Sequence, residues 1–429
     1  MEQYAQMRSS GVPWMLDIPE SWGVRVLFQL ADQVKNKNKD LSEQNLLSLS
    51  YGRIKRKDIN NPEGLLPESF DGYNIIEAND IVLRLTDLQN DHTSLRVGQS
   101  TERGIITSAY TTLRPSALVN PRYLYYVLHA YDLIKGFYGM GAGVRQGLNY
   151  DEVKTIKIPY PTLPDQAVIV SYLNEQVEQI DSIIADIRVG IEESKQWKEA
   201  IIFETVTRGI NSRAEFRSTG NPWIDTLPHG IRLSRLGLHF DITLGKMLCP
   251  NQLDSSYTLE PYYCAANVHF SGVDESDLKE MWFSVDEKEK YRVMNGDLLV
   301  VEGGAGAGGC SIARPLQTTY VQNSIMIVRP RRKSDVRYVK YLLEMLVKRG
   351  YIDFVCNRAT IPHFTKEKLS NVPFPVFPDN EIIEICNHVD EWYTRIDEMI
   401  ETKTQLILDL EAYKRSLIYE TVTGKRKVV

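Results

Sequence analysis

Two short runs of basic residues near the start of the sequence carry the side chains needed to bind a polyanion. They read Lys-Asn-Lys-Asn-Lys at 35–39 and Arg-Ile-Lys-Arg-Lys at 53–57. Lys and Arg donate hydrogen bonds to phosphate oxygens, Arg also recognises guanine, and Asn pairs with the edge of adenine. This combination, at this density, predicts a nucleic-acid-binding surface.

Further basic residues lie in segments that we predict to be loops between strands and helices. The candidate contacts are Lys35, Lys37, Arg53, Lys55, Arg56, Arg84 and Arg96 in the first half, and Lys246, Arg314, Arg331 and Arg332 in the second. Polar residues able to reach base edges are Tyr51, Asn36, Asn38, Gln322 and Asn323. Any one of these is also explained as a solvated surface side chain, so the prediction depends on the groups rather than on single residues.

The motifs of catalysis on nucleic acids are missing from the sequence. There is no Gly-x-x-x-x-Gly-Lys-Ser/Thr loop of a P-loop ATPase. The strings at 120–123 and 221–223 lack the second proline of the amino-methyltransferase motif Asn-Pro-Pro-aromatic. Pro-Asp at 164–165 and 378–379 has no Glu-x-Lys after it on a strand, and the seven histidines show no metal spacing. We therefore expect no catalytic residues, no metal site and no cofactor bound by this chain.

The net charge of −6 argues against nucleic-acid binding only if the charge is evenly spread. Segment 162–210 contains 4 basic and 9 acidic residues, and segment 376–429 contains 7 and 11. We predict both segments to be helical, so the acidic residues lie mostly on solvated helix faces. The remaining segments are free to present local basic patches.

The five cysteines are odd in number and scattered over the second half, at 249, 264, 310, 356 and 386. Neither a Cys-x-x-Cys pair nor a Cys/His cluster occurs, so disulfide and zinc sites lack support. Residues 1–10 have no apolar run typical of a signal peptide, and no stretch is apolar enough to span a membrane. These features predict a cytoplasmic protein with free, buried thiols.

An internal repeat of about 215 residues is the most informative feature of the sequence. Several short motifs occur twice, in the same order. The matching segments are 14–19 and 223–228 (Trp-x-x-x-x-Pro), 158–161 and 372–375 (Ile/Val-Pro-aromatic-Pro), and 204–207 and 420–423 (Glu-Thr-Val-Thr). Repetition in order is hard to obtain by chance, so we predict two halves with the same fold.

Each half is predicted to form a mixed α/β domain followed by one long helix, an α+β architecture. The predicted segments are 1–161 (first α/β domain), 162–210 (first helix), 211–375 (second α/β domain) and 376–429 (second helix). Asp165 and Asp379 follow prolines and are predicted to be the N-caps of the helices.

Apolar residues recur at three- and four-residue spacing along both predicted helices, as in a coiled-coil seam. The seam residues are Ile169, Leu173, Val177, Ile180, Ile184, Ile187, Ile191 and Ile201, then Ile383, Ile396, Ile400, Ile407, Leu410 and Leu417. Two homologous amphipathic helices most simply pack on each other. An antiparallel pair would give the chain a pseudo-twofold axis suited to two half-sites on duplex DNA. The alternative is a helical hairpin that merely connects two domains.

Two further features have two explanations each. Aromatic residues occupy matching positions on the two helices, at Trp197 and Tyr413 and at Phe203 and Tyr419. They either anchor partner proteins at two equivalent sites or fill the core between the helices. The glycine-rich segment 303–309 either forms a flexible turn or brings its backbone close to a DNA phosphate.

The ordered, doubled set of motifs closely resembles the specificity subunits of type I restriction-modification enzymes. The resemblance rests on the Trp-x-x-x-x-Pro motif, the Ile-Pro-x-Pro motif and Leu-Pro-Asp-Gln at 163–166, repeated over nearly the full chain. The second half departs from the pattern, with Phe-Pro-Asp-Asn at 377–380 in place of Leu-Pro-Asp-Gln. We expect this difference to matter little.

The resemblance implies two target-recognition domains that each bind one half of a bipartite DNA sequence, and two helical spacers. It further implies docking of two methyltransferase subunits and of restriction subunits that translocate DNA. S-adenosylmethionine, ATP and Mg²⁺ would bind to those partners. Two other functions stay open from the residues alone: a self-contained nuclease or methyltransferase, and a duplicated helical scaffold that binds no nucleic acid.

Overall fold

A computed structural model describes residues 4–60, 69–140, 147–211, 213–332, 334–356 and 362–428. The chain divides into two compact units. The first comprises Met1–Arg188 and Thr404–Val429, and the second comprises Val189–Lys403. Each unit therefore contains one α/β segment, the beginning of one long helix and the end of the other.

The first unit is built mainly from short strands. Its strands are β1 (Met7–Val12), β2 (Leu16–Pro19), β3 (Gly23–Val26), β4 (Ala31–Gln33), β5 (Leu47–Ser50), β6 (Arg53–Arg56), β7 (Asn74–Ile76), β8 (Ile81–Leu83), β9 (Val97–Gln99), β10 (Gly104–Ile106), β11 (Thr111–Pro115) and β12 (Lys157–Tyr160). Its helices are α1 (Pro121–Leu133), α2 (Tyr150–Val153) and the first part of α3 (Leu163–Arg208). The end of the last helix of the chain also belongs to this unit.

The second unit has the same plan with more helical turns. Its strands are β13 (Phe216–Ser218), β14 (Thr226–Pro228), β15 (Arg232–Arg235), β16 (Phe240–Leu244), β17 (Thr258–Tyr263), β18 (Val268–His269), β19 (Gly272–Val273), β20 (Lys279–Phe283), β21 (Leu298–Val301), β22 (Cys310–Ile312), β23 (Tyr320–Val321), β24 (Ile325–Pro330) and β25 (Pro373–Val376). Its helices are α4 (Val285–Tyr291), α5 (Val336–Lys348), α6 (Tyr351–Val355), α7 (Lys366–Ser370) and the first part of α8 (Asp379–Val422).

Both units share one framework of strands. A four-stranded antiparallel sheet has the order β4-β11-β8-β9 in the first unit and β16-β24-β21-β22 in the second. The strand just before each long helix pairs with an early strand, β12 with β3 and β25 with β15. The repeated Pro-aromatic-Pro motifs lie in β12 and β25, whose two-strand pairings tolerate proline. The repeat in the sequence is thus a repeat of this framework.

The sheet of each unit contains the same ion pair between a buried aspartate and a partly exposed arginine. Arg114 on β11 donates to both carboxylate oxygens of Asp80, at 2.9 and 2.7 Å. Arg329 on β24 makes the same two bonds to Asp297, at 2.7 and 2.6 Å. Both aspartates come just before an inner strand of the sheet and are almost fully buried. Paired bonds of this geometry fix the direction of each arginine and join neighbouring strands.

The units differ in the segments inserted into this framework. Between β4 and β8 the first unit carries the β5–β6 hairpin and β7, and β7 pairs with β10. At the corresponding position, between β16 and β21, the second unit carries the β17–β20 pair and α4. β23, which follows β22 along the chain, pairs with β17 and adds a third strand. The framework is therefore common to the two units, whereas the inserted segments differ between them.

Each long helix ends against the α/β segment of the unit in which it finishes. The end of α8 contributes Leu417, Ile418 and Val422 to the core of the first unit. The end of α3 contributes Ile202 and Val206 to the core of the second. The duplicated Glu-Thr-Val-Thr motif lies at these two helix ends, which explains its small, buried valine and threonine residues.

Within each unit the two helices are antiparallel. In the first unit, Asp181 of α3 binds Lys414 of α8, with 2.6 Å between carboxylate oxygen and ammonium. In the second unit, Lys198 of α3 binds Asp397 of α8 at 2.7 Å. Residues later in α3 thus meet residues earlier in α8, which confirms the predicted antiparallel, coiled-coil-like spacer.

The apolar seam is predicted well in α3 and less well at the start of α8. Ile169, Leu173, Ile180 and Ile184 are buried as expected. Ile383 is wrong as a seam residue, because it is 46% exposed while Ile382 and Ile385 are buried. The core of the second unit determines which face of α8 is buried. At the start of the helix this face is shifted by one residue from the predicted apolar stripe.

The predicted N-caps are also corrected. α3 begins one residue after Thr162, whose side-chain oxygen accepts a 3.3 Å hydrogen bond from the backbone nitrogen of Asp165. Asp165 lies in the first turn rather than at the cap, and Asp379 is the first residue of α8. Threonine is also among the preferred N-cap residues, and acidic residues in the first turn still interact favourably with the helix dipole.

The glycine-rich segment between β21 and β22 is required for packing. Gly308 has a φ of +82°, and a Cβ at this position would come within 3 Å of Ile352 and Val347. This finding explains the glycine by close approach to α5 and α6 rather than by flexibility.

Candidate nucleic-acid interface

The β5–β6 hairpin presents the second basic run at the surface. Arg53 and Lys55 are exposed, and Arg53 lies 3.5 Å from the carboxylate of Asp181 on α3. Arg56 is differently placed, because its guanidinium binds both carboxylate oxygens of Glu102 and lowers the pKa of that carboxyl group. Arg53 thus has one long contact with a carboxylate, whereas Arg56 forms a closer, two-oxygen ion pair with Glu102.

The first basic run is only partly available. Lys35 and Asn36 are exposed, and the ammonium of Lys37 donates a 2.8 Å hydrogen bond to the carbonyl oxygen of Gly72. Asn38 is buried and its side chain bonds with the backbone of Glu43. Asn38 thus shapes the loop, and Lys35, Asn36 and Lys39 are the residues of this run that face solvent.

The prediction that Arg96 contacts nucleic acid is corrected by its burial. Its side chain is fully buried, and its guanidinium donates to the backbone carbonyl oxygens of Thr86 at 2.6 Å and Asp87 at 3.1 Å. An ion pair with Asp91, at 3.7 Å, neutralises its charge. Arg96 therefore holds the loop between β8 and β9 in place. Arg84, in that same loop, is about one third exposed.

Lys246 is likewise corrected to a structural role. Its side chain is only 7% exposed and its ammonium forms an ion pair with Glu287 of α4. The same ammonium lies over the rings of Tyr257 and Phe283, at 5.1 and 5.5 Å. Lys246 thus joins the inserted segments of the second unit to each other.

Nearby, the predicted base-edge residues Gln322 and Asn323 bond to each other, at 2.8 Å. Both are only partly exposed, so the pair faces its own loop as well as solvent.

The remaining candidates of the second unit are at the surface. Arg314 and Arg332 are exposed, and Arg331 is exposed although it forms a 3.0 Å ion pair with Asp241. Lys333, which completes this basic run in the sequence, lies outside the described residues.

The four aromatic residues of the long helices fall into two kinds. Trp197 and Tyr413 are each 44% exposed, and Trp197 packs edge-on against Trp392 with 4.9 Å between ring centroids. Phe203 lies under the guanidinium of Arg349, and the hydroxyl of Tyr419 donates to the carbonyl oxygen of Trp14 at 2.8 Å. Phe203 and Tyr419 are thus used inside their own units, which leaves Trp197 and Tyr413 open to a partner.

Residues that lock each α/β segment to its own long helix were missed from the sequence. In the first unit, Arg122 and Tyr126 of α1 both donate to the side-chain oxygen of Asn174 on α3, at 3.1 and 2.8 Å. In the second unit, Arg337 and Tyr341 of α5 bind Asp390 on α8 in the same way. The repeat would have revealed them, because all three positions recur in the second half of the sequence.

Gln166 shows that the difference between the two helix starts has a structural effect. Its buried side chain donates to the carbonyl oxygen of Pro161 and accepts from the backbone nitrogen of Asn120, at 3.0 and 2.8 Å. Asn380, the corresponding residue of the second half, is exposed. In the second unit the cap of α5 is held instead by Asp335 and Arg337.

Two titratable residues of α1 are buried with strongly shifted pKa values. Burial lowers the pKa of His129 to about 4 and raises the pKa of Asp132 to about 6. The backbone nitrogen of Arg96 donates to Asp132 at 2.6 Å. Both groups are buried in the first unit, where the charges of Lys414 and Arg122 also lower the pKa of His129.

Other features of the described residues complete the description. Among them, no group of His, Cys, Asp and Glu side chains is arranged to hold a metal ion, and no helix is both long and apolar enough to cross a membrane. The five cysteines are free thiols; Cys310, Cys356 and Cys386 are buried as predicted, whereas Cys249 and Cys264 are partly exposed.

Comparison with known proteins gives a domain match and a distant relative from sequence, and a shared fold from structure. Residues 19–193 match the model of the type I restriction modification DNA specificity domain. The chain is 21% identical to a putative type I restriction enzyme MjaX specificity subunit of Methanocaldococcus jannaschii, over 96% of this chain and 95% of that protein.

Two solved structures share the fold. A chain from a study of complex assembly and conformational transition of the type I R-M system aligns with a TM-score of 0.69 at 14% identity, over 94% of this chain and 98% of that one. The HsdS subunit of Thermoanaerobacter tengcongensis aligns with a TM-score of 0.57 at 15% identity, over 95% and 98%. The chain therefore combines a doubled framework and antiparallel helices with a type I DNA specificity domain match over residues 19–193, and it shares its fold with these two structures.

Proposed function

We propose that this chain reads a bipartite DNA sequence, with one half-site recognised by the inserted segments of each unit. The observation that carries the proposal is the contrast between a framework common to both units and inserted segments that differ between them. A protein with two similar units that expose different inserted segments is suited to bind two different half-sites. The antiparallel helices are suited to keep a fixed number of base pairs between them.

The charges that support binding are those exposed on the inserted segments and on the loops at the sheet edge. In the first unit these are Lys35, Arg53 and Lys55, and in the second they are Arg314 and Arg332. Contacts from such residues to phosphate release counterions, so affinity should fall steeply with salt. Arg84 is a secondary candidate because its side chain is only about one third exposed, and Arg331 is one because it forms a 3.0 Å ion pair with Asp241.

For partners, we propose that two methyltransferase subunits dock on the long helices and that restriction subunits join through them. Trp197 and Tyr413 support two equivalent sites, because they occupy matching positions and are equally exposed. Exposed aromatic residues are frequent anchors of protein interfaces. S-adenosylmethionine, ATP and Mg²⁺ would be bound by those partners, and the assembled enzyme would act in the cytoplasm.

Selection from a randomised duplex library tests the proposed DNA function. The chain, purified with its methyltransferase partner, should enrich a sequence of two short specific parts separated by a constant gap. Scrambling either part should abolish specific binding. Enrichment of no sequence would contradict the proposal and favour a helical scaffold, and turnover of DNA by the chain alone would favour a self-contained enzyme.

A further inference from the structure

We propose that the β5–β6 hairpin enters the major groove of the first half-site as a two-stranded ribbon, and that Tyr51, Arg53 and Lys55 determine the base preference there. The inference rests on the proposed DNA function and assigns part of that function to specific residues. The major groove of B-DNA is about 12 Å wide and admits a two-stranded β-ribbon.

The two faces of the hairpin have different chemistry. Residues directly opposite each other in an antiparallel pair lie on the same face. Leu49 pairs with Ile54 on the face that packs into the unit. Ser50 pairs with Arg53, and Ser48 with Lys55, on the other face. The outward face is therefore polar and basic over its whole length, and its apolar counterpart anchors the ribbon.

The same alternation separates Arg56 from the ribbon's outward face. Arg56 pairs in register with the buried Leu47, and its exposed side chain is held by Glu102. The basic run 53–57 is thus not one surface. Arg53 and Lys55 face outward together, whereas Arg56 fastens the base of the hairpin.

Spacing along the outward face agrees with the spacing of base pairs. Two residues along a strand advance about 6.7 Å, and two base-pair steps advance about 6.8 Å. Arg53 and Lys55 are two residues apart on one strand. A ribbon lying along the groove would place each of them beside a base pair two steps from the other.

The tip of the hairpin is held in a demanding conformation. Tyr51 and Gly52 have φ values of +47° and +75°, as expected for the tight two-residue turn that suits a twisted hairpin. A Cβ on Gly52 would come within 3.0 Å of Leu95. The turn is therefore fixed against the unit before any ligand binds.

Tyr51 is an unusual residue for this turn. Left-handed backbone favours Gly, Asn or Asp, and a bulky residue there costs free energy. The side chain is 77% exposed and so receives little compensation from packing within the chain. A costly, exposed aromatic residue at the tip of a basic ribbon is well suited to stack on or pack against a base.

Arg53 can leave its present partner without leaving a charge unpaired. It lies 3.5 Å from Asp181, but Asp181 is also bound by Lys414 at 2.6 Å. When Arg53 turns toward DNA, Asp181 keeps the lysine. The geometry therefore permits Asp181 to position Arg53 in the free protein and to release it when DNA binds.

Library selection with the chain and its methyltransferase partner tests the assignment. The variants are Tyr51→Asn, Arg53→Gln and Lys55→Gln, and the control is Arg56→Gln, which removes the same charge from the opposite face. Asn is favoured in left-handed turns, so Tyr51→Asn removes the ring without disfavouring the fold. Thermal unfolding of each variant verifies that the unit is folded.

We expect the ribbon variants to change or relax the preferred bases of one half-site only. For Arg53→Gln the ratio of affinities for specific and scrambled DNA should fall about tenfold or more. Arg56→Gln should leave the enriched sequence unchanged.

Three outcomes would overturn the assignment. In one, the ribbon variants keep the wild-type sequence preference and lose affinity equally for all DNA, which would make them phosphate contacts. In another, the ribbon variants lose only the binding of the methyltransferase partner. In the third, the wild-type chain enriches no sequence, a result that would reject the proposed function itself and is thereby distinguishable from the other two.

Discussion

The hydroxyl group of Tyr338 donates a 2.7 Å hydrogen bond to the backbone carbonyl oxygen of Val206, near the end of the first long helix. The corresponding tyrosine of the first half, Tyr123, lies 3.4 Å from the carbonyl oxygen of Val422, near the end of the second. Each α/β segment therefore receives the end of the long helix that follows the other segment. The two halves of the sequence are not the two units of the fold.

Because the end of α8 packs in the first unit, we expect a substitution near the end of the chain to destabilise that unit. Leu417→Ala removes a fully buried side chain from that core and should lower its free energy of unfolding by about 2–5 kcal/mol. Hydrogen exchange should show the loss in α1 and β12, far away in sequence. Leu408→Ala, at a 54% exposed position of the same helix, is the control and should have little effect. Equal effects of the two variants would contradict the packing.

The ion pair repeated in the two sheets predicts a second stability difference. Asp297→Ala leaves the guanidinium of Arg329 without its two carboxylate bonds and removes an acceptor for the backbone nitrogen of Met294. Because Asp297 is nearly buried, we expect a loss of about 2–3 kcal/mol in a denaturant titration. Asp241→Ala breaks the exposed pair with Arg331 on the same sheet and should cost less than about 1 kcal/mol. A larger loss for Asp241→Ala would be inconsistent with this account.

His129 and Asp132 predict opposite responses to pH. The folded pKa of His129 is lowered to about 4, so the stability it contributes is present above about pH 6.5 and is lost as pH falls toward 4. The folded pKa of Asp132 is raised to about 6, so its contribution is present below about pH 4 and is lost as pH rises through 6. The two dependences largely cancel in the wild type between pH 4 and 6.

Single variants should separate these two contributions. His129→Phe should make the thermal midpoint increase as pH falls from 6 to 4, and Asp132→Asn should make it decrease over the same range. Calorimetry at a series of pH values measures both midpoints. Parallel pH profiles of the two variants would show that the shifts have been attributed to the wrong residues.

The distinction between buried and exposed arginines predicts different phenotypes. Arg96→Met removes several hydrogen bonds to the loop between β8 and β9 and should lower thermal stability by several degrees or more. Arg332→Ala should leave stability unchanged and weaken DNA binding, with a shallower dependence of affinity on salt. Filter binding at several salt concentrations, beside a thermal melt, measures both. Wild-type stability of Arg96→Met would contradict the structural role.

Sequence reasoning identified what repeats, because the framework of each unit carries its own short motifs. The doubled α/β architecture, the two long helices and their antiparallel pairing followed from these motifs and from the apolar spacing. Sequence reasoning could not distinguish the buried Arg96 and Lys246 from the exposed basic residues. Their partners are backbone carbonyls and a distant glutamate, and only the fold brings these to the charged groups.

Two further differences arise from tertiary packing. Ile383 and Ile382 are neighbours in one apolar stripe, and only the core against which α8 packs selects between them. Nothing in the repeated motifs shows which α/β segment receives which helix end. That choice depends on shape complementarity, as at Val206 and Val422, both of which are fully buried.

The paired helices predict a dependence of the recognised gap on helix length. Seven residues inserted into both α3 and α8, near Arg188 and its 3.3 Å partner Glu411, preserve the seam and lengthen each helix by about 10 Å. The gap between the half-sites should grow by about three base pairs, with both half-sites unchanged. Library selection measures the gap. An active protein with an unchanged gap would contradict the spacer role.

Methylome sequencing tests the central claim most directly. Cells that express this chain with its methyltransferase partner should carry methylation at one bipartite motif with a constant gap, absent from cells that express the partner alone. Exchange of the inserted segments of the first unit, 34–79, for those of a relative should change one half of that motif and leave the other intact. Methylation that is independent of this chain, or a motif that changes in both halves, would contradict the account.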